Sequence, residues 1–144
     1  MLHYASDPIN WLVFTDKERT VLLEALNAFF SASETVQVPV HADEDEPYSA
    51  SLALHSDKKK LDSLMSVRGL LISSLREGSR AVIGLTALDC EALNALVMLE
   101  VAGFYDYLIN LEDRLTALGV EFIPTEDDRQ KARFRIMSKL NARA

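Results

Sequence analysis

Residues 86–119 read TALDCEALNALVMLEVAGFYDYLINLEDRLTALG, and the reading of this stretch decides the fold. It contains no proline. It opens on a hydroxyl, Thr86, three residues before an acid, Asp89, and closes on Gly119. Those are a helix start and a helix stop. Cys90, Val97, Phe104, Leu111 and Leu118 recur every seven residues, and Val101, Leu108 and Leu115 stand four beyond three of them. A seam with a 3.5-residue period follows. Leu96, Leu99 and Ala102 add apolar side chains on other sides, so the helix is expected to be central in its fold. At 1.5 Å per residue, residues 86–118 span about 50 Å, more than the radius of a domain this size. Either the helix bends near Gly103, which could also mark a close helix crossing, or another chain covers part of its seam. The second reading makes Val97, Val101, Phe104, Leu108, Leu111, Leu115 and Leu118 a self-association seam and the protein a homodimer.

Two further stretches repeat the chemistry of the helix start. Thr15 precedes Glu18 and Thr125 precedes Asp128 at the same spacing. In each, the hydroxyl can accept from an unpaired first-turn amide while the acid reaches back to the cap amide. A helix over 15–31 then carries Leu22, Leu26 and Phe29 on one stripe, widened by Leu23 and Phe30. A helix over 125–141 follows Pro124. Between them a helix over 57–77, begun near Ser56 or Asp57 and stopped at Gly78, places Leu61, Leu64, Met65, Leu71, Ile72 and Leu75 inward.

The region between the first two helices alternates. Val36, Val38 and Val40, then Tyr48, Ala50, Leu52 and Leu54, stand at every second position around HADEDEP. That pattern over 36–54 reads as a small β-hairpin with Pro39 at an edge, or else as an irregular loop. Ala81–Leu85 and Val120–Ile123 are shorter strand candidates. Trp11–Phe14 reads either as a strand or as the opening of a helix, because Asp7-Pro8 suits a helix start.

The totals bound the class. The 144 residues suggest one domain, 1–144, whose 49% apolar and 26% charged composition is that of a globular protein. No uninterrupted apolar run suggests a membrane span, and the start MLHYASDPINWLVF lacks the basic opening of a secretory leader. The single cysteine, Cys90, forbids an internal disulfide and suits the cytoplasm. It reads as a small buried apolar residue.

No catalytic constellation stands out. There is no Gly-x-Ser-x-Gly turn, no His-Glu-x-x-His pair and no phosphate-cradling glycine loop. Counting from Asp43, a calcium loop would want glycine at Tyr48 and an acid at Leu54. His41 with Asp43, or His55 with Asp57, offers two ligands where a metal site needs three or four. Neither cofactor nor metal is expected, and the protein is expected not to be an enzyme.

Charge is the clearest functional signal. Residues 1–57 hold 2 basic and 10 acidic side chains, 58–77 hold 5 and 2, 78–124 hold 2 and 7, and 125–144 hold 6 and 3. The net charge of −7 is thus laid out in alternating blocks. Within the first block Asp43, Glu44, Asp45 and Glu46 stand in a row. Two like charges about 4 Å apart repel by about 1 kcal/mol in water and by more once desolvated. The run therefore suits solvent or a cationic partner. In the last block Lys131, Arg135 and Lys139 form one helical stripe opposite Phe134, Met137 and Leu140.

These observations lead to a mainly α fold: four helices, one long and central, with the hairpin making it α+β if present. The function expected is protein–protein interaction, by a dimeric adaptor or inhibitor whose acids Asp43–Glu46 meet a partner with a basic surface. The alternative is a nucleic-acid-associated regulator that lays Lys131, Arg135 and Lys139 along phosphates.

Overall fold

The computed structural model describes residues 8–33, 53–122 and 127–142. They form β1 (Asn10–Thr15), α1 (Asp16–Ser33), a short α2 seen at residues 53–56, α3 (Lys58–Ser73) with a 3-10 turn at Ser74–Arg76, β2 (Arg80–Leu85), α4 (Ala87–Ala117) and α5 (Asp128–Asn141). Among the described residues the chain is mainly helical, with one small two-stranded antiparallel sheet.

Two of the three Thr-to-acid boxes close as the sequence predicts. The Glu18 amide donates to Thr15 Oγ1 at 3.2 Å, and the Thr15 amide donates to Glu18 Oε1 at 2.9 Å. At the start of α4 the same exchange joins Thr86 and Asp89, at 3.1 and 3.0 Å. The third differs. Helix α5 begins at Asp128, capped by Asp127, whose carboxylate accepts from the Gln130 amide at 3.0 Å. Aspartate is as good a cap as threonine, and Thr125 lies outside the described residues. Asp57 caps α3 in the same way. Helix α4 ends on Gly119 at φ 75°, with the Val120 amide on the Leu115 carbonyl at 2.9 Å. That turn ties Val120 to the helix end, and residues 120–122 are not the predicted strand.

The sheet seen among the described residues joins strands far apart in the chain. Strand β1 pairs with β2, from Asn10 opposite Leu85 to Thr15 opposite Arg80. Residues 36–52 lie outside the described set, while 53–56 are helical and bury Leu54. Trp11–Phe14 is therefore a strand. The sheet buries Phe14, Ala81, Ile83 and Leu85 on its inner face.

The core combines this face with Leu22 and Leu26 of α1, Leu64, Val67 and Leu71 of α3, Cys90, Leu93 and Leu96 of α4, and Ile136 and Leu140 of α5. Helix α3 turns a narrower stripe inward than expected. Met65 and Ile72 are exposed, because the buried line Leu64–Val67–Leu71 lies about a quarter-turn or more away from them, and Leu75 is exposed on the 3-10 turn that follows the helix. Arg19 is fully buried and donates to the carbonyls of Thr15 (3.3 Å), Ser74 (2.5 Å) and Gly78. It fastens the start of α1 to the chain end of α3, where helix carbonyls lack internal partners.

Candidate interaction surface

The long helix has two different halves. α4 is continuous through Gly103 and, at 31 residues, runs about 46 Å. Its first half buries Cys90, Ala92, Leu93, Leu96 and Val97. Helix α5 lies antiparallel along this half. Asn141 Nδ2 donates to Asn94 Oδ1 at 3.1 Å, while Arg133 sits 3.9 Å from Glu100 and over the Phe104 ring. Beyond Phe104 no described side chain of α4 is fully buried. A methyl group at Gly103 would meet nothing within 4 Å, so no helix among the described residues crosses closely there.

The seam read from the heptads divides accordingly. Val97 belongs to the core, 1% exposed, and is not available to a second chain. Val101, Phe104, Leu108, Leu111 and Leu115 are half-buried, and Leu118 is 76% exposed. The most open face of the helix lies beside the seam. Met98, Tyr105 and Ile109 are exposed there, with Ile109 at 57%, and Tyr107 is exposed on a different side. The heptad count passed over these four because they fall between its positions, although the run of apolar residues through 96–109 is their signal. An 18-residue window of this helix reaches a mean hydropathy of 1.4 with 22% of it buried. By length and composition alone, then, it meets the level of a membrane span, contrary to the expectation from uninterrupted runs. A core helix of a soluble fold meets the same level.

The basic stripe has a destination inside the fold. Glu18, fully buried at the start of α1, receives Arg135 Nε at 3.2 Å and Lys139 Nζ at 2.5 Å. Lys139 also lies 5.7 Å from the centre of the Phe14 ring. Burial by itself pushes the Glu18 carboxyl up. The hydrogen bond from Lys139, the Thr15 amide, the Lys139 charge and Arg135 outweigh it and hold the carboxyl below the ordinary glutamate value. Arg129 meets Glu24 at 3.3 Å. Two of the three cations offered for phosphate, Arg135 and Lys139, thus face an internal carboxylate. A phosphate would have to displace a partner that is already in place. Lys131, the third, continues the same helix side toward its N-terminal end.

The remaining candidates separate. Asp43, Glu44, Asp45 and Glu46 lie outside the described residues, as does His41. His55 stacks on Phe29, ring centres 3.9 Å apart, and burial holds its imidazole below the usual histidine value. Asp57, its expected co-ligand, is occupied in capping α3. Among the described residues no three His, Cys, Asp or Glu side chains converge as a metal site requires.

A second open surface was not expected. On the outer face of the sheet Trp11, the only tryptophan, is 69% exposed, and Ile9, Val13 and Val82 are exposed beside it. Alternation through β1 and β2 is the signal that would have found it.

Comparison of the chain with protein-family models, curated proteins and solved structures found no match.

Proposed function

We propose that the protein is a non-enzymatic interaction protein: a homodimeric adaptor or inhibitor that meets a basic protein partner through Asp43, Glu44, Asp45 and Glu46. The observation that carries this reading is the outer half of α4. Tyr105, Tyr107 and Ile109 are exposed there, and so is Leu118 at the helix end. Tyrosine and large aliphatic side chains on a preformed element are what a protein interface desolvates. The segregated charge supports the same reading. An acidic run speeds encounter with a cationic partner and makes the affinity fall with salt. A reducing compartment such as the cytoplasm suits the lone buried thiol of Cys90.

The test is recovery of the complex from the native host, with light scattering for its mass. The complex should weaken as salt rises. Reversing all four charges of Asp43–Glu46 should abolish the basic partner's binding while leaving helicity unchanged. An unchanged complex after that reversal contradicts the assignment of the acidic run.

A further inference from the structure

Among the described residues the outer side of β2 is an open strand edge. The Asp16 amide donates to the Ser79 carbonyl at 2.9 Å, and the β1–β2 register continues that pairing without a shift. Bonded pairs alternate in an antiparallel ladder. Cross-strand bonds therefore fall at Phe14–Ala81, Leu12–Ile83 and Asn10–Leu85. The amides and carbonyls of Arg80, Val82 and Gly84 point the other way, where no strand lies among the described residues. An open groove of about 440 Å³ borders them, with Leu70, Ser73 and Glu77 on its far side. Exposed edges of this kind invite another chain.

Two side chains indicate which chain. Trp11 lies against Gly84 so closely that a methyl group there would come within 2.8 Å of the indole. Gly84 thus leaves room for a ring held flat at the edge. Arg80, on the same face and two residues from Val82, is exposed. A two-fold axis through Val82 pairs β2 with its own copy, Val82 opposite Val82 and Arg80 opposite Gly84 of the second copy. The guanidinium of each copy then reaches the indole that covers the other's Gly84, a favourable cation–π pair repeated twice. We propose that the open edge of β2 is the joint between two copies of this chain, which pair antiparallel about Val82 into a four-stranded sheet. This rests on the homodimer reading above and moves its joint from the α4 seam to β2.

Amide hydrogen exchange at Val82 and Gly84, followed at high and low protein concentration beside sedimentation equilibrium, tests the joint. The expected result is a dimer in which both amides are protected, with protection lost on dilution and Trp11 emission shifting to the red. Val82→Pro removes an amide that points away from β1, so it should yield a folded monomer. Arg80→Glu, a surface change that spares the backbone, should weaken the dimer about tenfold. A dimer broken by Ile109→Lys but unaffected by Arg80→Glu, with both amides unprotected, overturns the β2 joint while sparing self-association. A chain that stays monomeric at every concentration overturns both. Protection that survives dilution shows that the chain covers its own edge, and that overturns the joint as well.

Discussion

The two halves of α4 have nearly the same chemistry and opposite fates. Cys90 and Val97 are buried, whereas Leu111, at the same heptad position, and its seam neighbours Leu108 and Leu115 are only half covered. The difference lies in the neighbours, not in the helix. Helix α5 has 14 residues and its antiparallel path reaches back to Asn94, so it covers the first half and runs out near Phe104. A repeat in sequence specifies a sticky face. Whether that face becomes core or interface depends on where the other elements end.

The sharpest way to break this comparison is to remove one large side chain from each half. Leu93→Ala should cost about 2–5 kcal/mol, the price of lost burial plus a cavity. Ile109→Ala should stay within about 0.5 kcal/mol, since the side chain is already in water. Chemical denaturation of both variants checks the pair. Similar losses at the two sites would mean that the outer half is covered after all.

A second variant loosens the element that makes the halves differ. Glu18→Gln removes the charge that Arg135 and Lys139 grip, and should cost about 2 kcal/mol. It should also speed amide exchange in the first half of α4 more than in the second. The pH dependence has a definite sign. The folded carboxyl titrates below the ordinary value of 4.5, so its contribution is complete above that pH and is lost as pH falls through the folded value. Denaturation midpoints of wild type and Glu18→Gln should therefore converge in acid. A gap that persists well below pH 4 would contradict the ion-pair assignment.

The smallest effect concerns Gly103, where the halves meet. Because a methyl group there touches nothing, Gly103→Ala should stabilise the helix by about 0.5–1 kcal/mol through propensity alone. Thermal unfolding measures it. Destabilisation would reveal a close neighbour or a required bend. Gly84→Ala is the contrasting case, for it must push Trp11 or Ile9 aside.

Much of the secondary structure was legible because its signals are local. The Thr15–Glu18 and Thr86–Asp89 boxes, the Asp57 cap and Gly119 each act within one helical turn, and all four do in the fold what their spacing implies. The sheet was legible only in pieces. Ala81–Leu85 looked extended and Trp11–Phe14 read as either strand or helix opening, and nothing in either names a partner some 70 residues away. Alternation around the acidic run pointed to a separate hairpin or loop over 36–54, of which 36–52 lie outside the described residues.

The candidate surfaces failed to show for a related reason. Lys131, Arg135 and Lys139 read as a solvent-facing stripe because Glu18 already had a local task as a capping acid. One carboxylate does both, its two oxygens shared among the Thr15 amide and two cations of a helix more than a hundred residues on. Buried Arg19 gave no warning either, since its partners are carbonyls rather than acids.

The decisive measurement places a photo-crosslinking side chain at Ile109, and in a second protein at Glu91, which is exposed on the first half of the same helix. Both are expressed in the native host and irradiated. An adduct of discrete mass from position 109, with none from 91, is the predicted result. Adducts of equal yield at both positions, or none at 109, would contradict the claim that the uncovered half of α4 is where this protein meets its partner.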